Sequence, residues 1–185
     1  PDHWLLQGGT TGGGGALKWL REQICPELSF AQMSDLADSV PAGSEDVLFL
    51  PYMAGERSPI WNPNACGVFF GLSYAKTRAH LIRAVMEGVG YALRHNLEVA
   101  RATGTQVGTL RAMGGSANSL VWTQIKADTL GIPVRTLEEP EITVLGAAMF
   151  ALKGAGIHAS AEGMPGAAPA RLWEARRASP RRRRA

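Results

Sequence analysis

The segment Leu110–Asp128 constrains the fold of this chain more than any other stretch of its sequence. A short apolar run ends at Gly114 and Gly115, small polar residues follow, and a helical pattern then begins. The segment therefore predicts a strand, a tight turn and a helix. Glycines at such a turn let the backbone approach a ligand, and the helix start presents unpaired N–H groups that suit a phosphate. The alternative is an ordinary connection in which Ser116, Asn118 or Ser119 only caps the helix.

A second glycine-rich turn lies near the start of the chain. Four consecutive glycines, residues 12–15, run directly into an apolar stripe that begins at Ala16. Four glycines are typical of a flexible linker, although linkers seldom lead straight into such a stripe. The other interpretation is a glycine-lined helix start beside a ligand. The residues themselves leave both interpretations open.

The remaining apolar patterns indicate an α/β fold. Residues 47–53 and 68–72 predict two short strands, the first of them buried, and residues 131–137 predict another. Residues 77–103 carry the strongest helical pattern, and residues 141–154 form a helical pattern of small residues. Strands that alternate with helices in this way are typical of helices packed on a sheet.

Two pairs of opposite charge stand four residues apart in the long predicted helix. Arg83 precedes Glu87, and Arg94 precedes Glu98, so both pairs favour the helix. We interpret all four side chains as a solvated helix face. Glu87 and Asp128 both fall within predicted helices, and we expect them to be structural rather than catalytic.

The positive charge of the chain is concentrated at one end. The chain carries a net charge of +3, but residues 170–185 hold seven arginines against one glutamate, so the other 169 residues carry a net charge of −3. A mildly acidic body argues against a nucleic-acid-binding surface on the fold. We expect residues 176–185 to be a solvated, disordered tail rather than a contact with RNA or a membrane.

Composition limits the remaining classes of protein. The 185 residues are 45% apolar, enough for one globular domain with a core. Two cysteines, with no signal peptide and no long apolar run, predict a cytoplasmic protein. The four histidines lack neighbours at ligand spacing, so we expect no structural metal site. The chain starts with Pro1 rather than Met, which we interpret as a fragment or a processed product.

Several motifs in order resemble the C-terminal domain of the FGGY carbohydrate kinases. Residues 67–72, followed after a gap of seven by residues 80–87, resemble the signature of that family. Residues 51–59, 114–119 and 145–148 resemble three further motifs in the same order. The likeness spans roughly residues 8–156, and the residues of the motifs are most similar to those of the xylulokinase members. Several spaced motifs in order are far more specific than a lone pair of glycines.

The resemblance implies the actin-like, ribonuclease-H-like ATPase fold, with this chain as the nucleotide-binding half of a sugar kinase. Residues 1–156 would form that domain, truncated at its N-terminus, and residues 157–185 an irregular tail rich in Ala, Gly, Pro and Arg. The implied reaction is transfer of the γ-phosphoryl group of ATP, with Mg²⁺, to a sugar hydroxyl such as that of D-xylulose. The implied partners are the missing N-terminal kinase domain and, in some family members, a second copy of the chain.

Carried onto this sequence, the family's nucleotide site falls on both glycine turns. Gly114 and Gly115 would lie against the phosphates and ribose, Ser119 at the adenine end, and Gly14 and Lys18 at the border of the nucleotide. The family's catalytic aspartate, its phosphate loop and most of its sugar contacts would lie upstream of the first residue. We therefore assign no catalytic base, and we expect the chain alone to phosphorylate no sugar.

Two departures and two alternatives accompany the resemblance. Cys66 stands where relatives usually have Arg or Lys, so any charge contact made there would be lost, and the sequence from Ile157 does not resemble the family's closing helix. One alternative is a dinucleotide-binding oxidoreductase, although the sequence lacks Gly-x-Gly-x-x-Gly with a well-placed ribose-binding acid. The other is a non-catalytic kinase-like remnant or binding module whose arginine tail contacts nucleic acid.

Overall fold

Helices and strands alternate along the chain. The computed structural model describes residues 5–137, 142–157 and 169–174. Its helices are α1 (Gly14–Ile24), α2 (Phe30–Asp38), α3 (Arg78–Ala102), α4 (Leu120–Leu130) and α5 (Ile142–Gly154). Its strands are β1 (Leu48–Leu50), β2 (Val68–Phe70), β3 (Leu110–Ala112), β4 (Val134–Leu137) and β5 (Pro169–Trp173), with 3₁₀ turns at Ser44–Asp46 and Gly115–Ala117. The α/β class that the sequence predicts is confirmed.

The strands belong to two sheets. β1 pairs antiparallel with β2, and β4 lies between β3, to which it is parallel, and β5, to which it is antiparallel. β5 falls in the stretch that we expected to be irregular, because the sequence there shows no strand periodicity. Its pairing with β4 is a contact between distant segments, which a local pattern does not report. The arginine-rich residues 176–185 lie outside the described residues.

Helix α3 is the centre of the packing, as its apolar stripe predicts. It contacts α1, α2, α4 and β1, and its buried residues share one hydrophobic cluster with residues of those elements. Gly88 permits the close approach of β1, since a Cβ at this position would lie 2.3 Å from the carbonyl oxygen of Phe49. The observed helix matches the predicted residues 77–103 to within one residue at each end.

The two-stranded sheet is covered on one face only. Phe49 and Phe69 stand opposite each other with their ring centroids 4.5 Å apart, and both pack against the core that surrounds α3. The alternate side chains are 44–70% exposed: Leu48, Leu50, Val68 and Phe70. The prediction of a buried strand over residues 47–53 is therefore wrong for one of its two faces. An apolar run by itself does not reveal whether both faces of a strand are covered.

The two charge pairs of α3 occupy opposite environments. Arg94 Nε donates to Glu98 Oε1 over 2.8 Å, and both side chains are about half exposed. Arg83 and Glu87 are only 7% and 4% exposed, with Arg83 Nε donating to Glu87 Oε1 over 2.7 Å. The predicted solvated face is therefore wrong for Arg83 and Glu87. Helix α2 packs over this part of α3, and Arg83 also donates to the carbonyl oxygen of Ala37 over 3.3 Å.

The thiols and the hydropathy of the helices complete the description of the fold. Cys25 is buried and Cys66 is exposed, and both are free thiols. Within residues 5–137, 142–157 and 169–174, no helix is long and apolar enough to cross a membrane. Desolvation raises the pKa of the Cys25 thiol, so this thiol remains protonated at neutral pH.

Candidate functional site

Three helices begin around one cleft of about 660 Å³. The lining residues come from the starts of α1, α2 and α4 and from the turn before α4: Gly14, Leu17, Lys18, Phe30, Ala31, Ser34, Gly115, Ser116, Asn118, Ser119 and Trp122. Because each helix start carries the positive end of its dipole, and the first turn of α1 has no side-chain cap, the cleft favours an anionic ligand. Four of the five predicted site residues line it, and the fifth, Gly114, directly precedes Gly115.

The turn between β3 and α4 has the backbone that its glycines predict. Gly114 has a φ of +78°, a conformation that residues with a Cβ rarely adopt. Gly115 opens the 3₁₀ turn that leads to α4, and a Cβ at Gly115 would meet no atom within 4 Å. The peptide groups of this turn are therefore accessible from the cleft without a side chain in the way.

Ser119 both caps α4 and lines the cleft. Its Oγ accepts a hydrogen bond from the backbone N–H of Trp122 over 3.1 Å, which confirms the capping role weighed for this residue. The same oxygen lies 2.9 Å from Ser34 Oγ on α2. This pair of hydroxyls joins the starts of α2 and α4, so the wall of the cleft is continuous there.

The second glycine turn is the start of α1. Gly14 and Gly15 are helical, so the linker interpretation is wrong for them. The N-cap residue, Gly13, supplies no side-chain cap, and a Cβ on any of these three glycines would meet no atom within 4 Å. Gly12 differs from them, because a Cβ there would lie 1.8 Å from the carbonyl oxygen of Pro51. The uncapped first turn of α1 therefore faces open space next to the cleft.

Lys18 lies one turn into α1 and, of the described residues that line the cleft, is the charged one. Its side chain is 66% exposed, and its Nζ lies 3.8 Å from Glu22 Oε1 on the same helix. An exposed pair at this separation is weak and screened by solvent. The ammonium group can therefore turn from Glu22 to a ligand at modest cost.

Sequence analysis missed the wall that α2 contributes. Phe30 is 43% exposed on the cleft, and the guanidinium carbon of Arg21 lies 4.7 Å from its ring centroid. A capping box between Ser29 and Gln32 fixes the start of α2. That four-residue pattern is visible in the sequence and predicts a helix start. It carries no information on where the helix packs, which is why helical spacing indicated Phe30 as part of a helix but assigned neither Phe30 nor Ser34 to the site.

A second residue that sequence analysis missed is Lys126 on α4. The residue is only 5% exposed, and its Nζ donates to Ser116 Oγ over 2.8 Å. The same Nζ lies 4.9 Å from the ring centroid of Trp122. Burial lowers the pKa of the Lys126 ammonium from 10.5 to about 8. A helical pattern of apolar residues does not indicate that a lysine between them is buried.

Glu56 holds the segment that leads into α1. It is 5% exposed and accepts hydrogen bonds from Thr10 Oγ1 over 2.7 Å and from the N–H of Thr11 over 3.1 Å. The N–H of Arg57 donates to the same carboxylate over 2.7 Å. This carboxylate therefore fixes residues just before the glycine turn relative to the loop that follows β1. Its partners are 45 and 46 residues away, so no local pattern reveals them.

A smaller cleft of about 210 Å³ lies between α3 and α4. Its lining includes Arg83, Glu87 and Asp128, and their charges are engaged within the protein. Glu87 is bonded to Arg83, and Gln124 Nε2 donates to Asp128 Oδ1 over 2.8 Å. Neither carboxylate lines the larger cleft. This arrangement suits the structural roles expected for Glu87 and Asp128.

Comparison with known proteins identifies the family. The model of the FGGY family of carbohydrate kinases, C-terminal domain, matches residues 1–155. A xylulose kinase from Staphylococcus epidermidis is 35% identical over 156 residues, which are 84% of this chain and 32% of that protein. A gluconokinase from Bacillus licheniformis is 36% identical over 166 residues, which cover 84% of this chain and 32% of that protein. The chain thus spans about a third of the length of these curated relatives.

Comparison of the fold with solved structures supports the same family. A crystal structure of ligand-bound xylulose kinase from Lactobacillus acidophilus matches with a TM-score of 0.79 and 28% identity, over 91% of this chain and 35% of that chain. The actin-like, ribonuclease-H-like ATPase fold implied by the motifs is therefore confirmed. With its family model, its relatives and its fold in agreement, the chain belongs to the FGGY family of carbohydrate kinases.

Proposed function

We propose that this chain holds the nucleotide of an ATP-dependent sugar kinase. The observation that carries the proposal is the convergence of the starts of α1, α2 and α4 on one cleft of about 660 Å³. Membership of the family supports the kinase chemistry, and the helix starts and Lys18 at the cleft supply the positive potential that phosphates require. The proteins named above are carbohydrate kinases, which argues against the alternative of a dinucleotide-binding oxidoreductase.

Within this proposal the cleft divides into a polar side and an apolar side. Gly114 and Gly115 would receive the phosphates and ribose, with Gly14 and Lys18 at the border. The adenine base would lie toward Ser119, against the aromatic wall that Phe30 presents. The 43% exposure of the Phe30 side chain supports this assignment, because it leaves ring surface available for stacking.

Magnesium would accompany ATP and would spread the charge of its phosphates. Among the residues that the structure describes, no group of three or more His, Cys, Asp or Glu residues is arranged to hold a metal ion. We assign no residue to this ion and derive no step from it.

We propose that the 185-residue chain alone transfers no phosphate. The residues that line the cleft, as far as the structure describes them, include neither Asp nor Glu, so a general base for the sugar hydroxyl is not in place. The remaining two-thirds of the relatives' length would supply it. An assay that couples ADP release to NADH oxidation, with D-xylulose as acceptor, would test this, and turnover by the purified chain would contradict it.

For the substrate of the whole kinase, we propose a ketopentose such as D-xylulose. The residues of the motifs and the match to xylulose kinases support this choice. The gluconokinase relative is as similar to this chain, and the residues that read the sugar hydroxyls would lie mostly outside it. Comparing D-xylulose with gluconate as acceptors for the longer enzyme separates the two, and a strong preference for gluconate would contradict the proposal.

The direct test of the nucleotide site is calorimetric titration with ADP and with ATP plus magnesium. Gly115→Asp would place a carboxylate where the phosphates should lie, and Gly108→Asp is a matched control on an exposed loop. Neither glycine has a positive φ, and a Cβ at either would meet no atom within 4 Å. We expect at least about a tenfold loss of ADP affinity in Gly115→Asp from charge repulsion. Gly108→Asp should bind like the parent.

Circular dichroism on the same samples shows whether each variant is folded. Equal ADP affinity in the parent and in folded Gly115→Asp would remove the phosphates from the Gly114–Gly115 turn. A folded parent that binds neither ADP nor ATP would favour the alternative of a non-catalytic remnant. Restoring the upstream segment, and with it nucleotide binding, would instead show that the missing domain supplies essential contacts.

A further inference from the structure

Lys126 is a buried cation that forms no ion pair with any carboxylate of the described residues. The residue is 95% buried, as judged from its exposure of 5%. A buried charge without a counter-charge is unfavourable, and proteins usually pair such a group or use it to hold a ligand. The neighbours of Lys126 therefore determine where a ligand of opposite charge could bind.

The ammonium of Lys126 points at the wall of the larger cleft. Its Nζ donates to Ser116 Oγ over 2.8 Å, and Ser116 lines the cleft. Because the hydroxyl oxygen accepts from the ammonium, the hydroxyl hydrogen remains to be donated to a ligand. A ligand oxygen that accepts this hydrogen bond at about 2.8 Å would lie within about 5.6 Å of Nζ. Opposite charges at this distance stabilise each other's ionised form.

A second neighbour, the indole ring of Trp122, also holds the lysine in place. Lys126 Nζ lies 4.9 Å from the ring centroid of Trp122, and Trp122 Nε1 donates to the carbonyl oxygen of Met86 over 3.0 Å. The indole ring is thus fixed between α4 and α3, and it carries the ammonium on its surface. An ammonium group anchored in this way stays behind Ser116 instead of moving into solvent.

The other charged groups near α4 do not replace the missing counter-charge. Arg83 and Glu87 of α3 pair with each other, and Asp128 of α4 accepts from Gln124, all at the smaller cleft. Lys18 of α1 lines the same cleft as Ser116 but carries the same sign as Lys126. The cleft therefore has Lys18 in its lining, Lys126 bonded to the lining residue Ser116, and three helix starts around it, and this charge favours an anion.

We infer that Lys126 is a positioning residue that supplies positive charge to the phosphates of the bound nucleotide through the hydroxyl of Ser116. This inference rests on the proposed nucleotide function of the cleft. It predicts that Lys126 affects the binding of the phosphates and not that of adenine or ribose, because its charge attracts an anion. A residue that only supports the fold would affect ligands with and without phosphate alike.

The test compares the affinities of ADP and adenosine in the 185-residue chain by calorimetry. Lys126→Met removes the charge, and Lys76→Met is the matched control, since Lys76 bonds to Glu45 outside the cleft and its loss changes the net charge equally. We expect Lys126→Met to lower ADP affinity by about tenfold and to leave adenosine affinity unchanged. Ser116→Ala should lower ADP affinity in the same direction, and Lys76→Met should change neither.

Proton uptake provides a readout that a structural role would not produce. A phosphate near Lys126 favours its charged form, so ADP binding at pH 8 should draw a fraction of a proton from the buffer. Titration in two buffers of different ionisation enthalpy measures this fraction. We expect uptake by the parent and none by Lys126→Met. Lys126→Arg keeps the charge and should retain most of the ADP affinity.

The outcomes separate this inference from the proposed function. If the parent binds ADP and Lys126→Met binds it equally well, the inference is overturned while the nucleotide site stands. Equal losses for ADP and adenosine would also overturn it. If neither the folded parent nor the chain with its upstream segment restored binds ADP, both proposals fall; if only the longer chain binds it, the same variants are compared in that chain. Should Lys126→Met not fold, Lys126→Arg and Ser116→Ala decide the question, and unchanged ADP affinity in Ser116→Ala would overturn the relay through its hydroxyl.

Discussion

Helices α3 and α4 each bury one cation, and the two cations are treated in opposite ways. Arg83 of α3 meets Glu87 over 2.7 Å and also donates to a backbone carbonyl of α2. Lys126 of α4 has a serine hydroxyl and an aromatic ring as its neighbours, and no carboxylate of the described residues pairs with it. The charge of Arg83 is paired with a carboxylate within the fold, whereas the charge of Lys126 is stabilised only in part.

This difference shows that burial alone does not reveal whether a charged side chain has a partner of opposite charge. Both residues are at most 7% exposed, so accessibility does not distinguish them. What distinguishes them is the partner: the carboxylate of Glu87 completes a local ion pair, whereas Ser116 leads from Lys126 to a cleft. A paired buried charge fixes neighbouring helices to each other. An unpaired one beside a cleft points to a ligand of opposite charge.

The largest effect should follow from breaking the internal pair. Glu87→Ala leaves Arg83 buried without its partner, so we expect the free energy of unfolding to fall by about 3–5 kcal/mol. Urea denaturation followed by circular dichroism measures the change. Glu98→Ala breaks the exposed pair of the same helix and is the matched control, for which we expect no resolved change. Comparable losses in the two variants would show that the burial of Glu87 adds nothing.

A smaller and opposite effect should follow from removing the unpaired charge. The pKa of Lys126 is about 8 in the fold against 10.5 for an ordinary lysine, so below pH 8 the fold carries the cost of a buried charge. This difference corresponds to about 3 kcal/mol, which sets the upper limit for the stability gained by Lys126→Met at pH 7. The lost bond to Ser116 and the lost contact with Trp122 reduce that gain.

The lowered pKa of Lys126 determines whether its contribution to stability rises or falls with pH. Between pH 8 and pH 10.5 the unfolded chain holds the Lys126 proton more tightly than the fold does, so this group makes the parent more stable as the pH rises. The advantage of Lys126→Met should therefore shrink between pH 7 and pH 10 in urea denaturation. A variant that is less stable than the parent at both values would mean that the contacts of Lys126 outweigh its desolvation.

Local patterns in the sequence were sufficient for several elements. The stripe of apolar residues placed α3 within one residue at each end, and two glycines located the turn before α4. The motif resemblance then brought Gly14, Lys18, Gly115 and Ser119 to one cleft, even though the two segments are about a hundred residues apart. Spaced motifs preserve such distant relations, which periodicity does not.

The features that were missed depend on contacts between distant segments. Ser34 enters the site because α2 packs beside α4, and Glu56 holds the segment before α1 because its loop meets Thr10. The spacing of Arg83 and Glu87 is the same as that of Arg94 and Glu98, yet only the first pair is buried. Composition and spacing predict which side chains share a helix face. They do not predict what covers that face.

The four consecutive glycines have a consequence for engineering this chain. Gly14 and Gly15 are the first two residues of α1, where alanine favours the helix by less than the roughly 1 kcal/mol that it contributes in a helix interior. Gly12 admits no such change, since its neighbour Pro51 already occupies the place of a methyl group. A methyl at Gly14 would stand in the mouth of the cleft. Thermostabilising this helix and keeping room for a ligand are therefore competing aims, and Gly15, which does not line the cleft, is the position where both can be met.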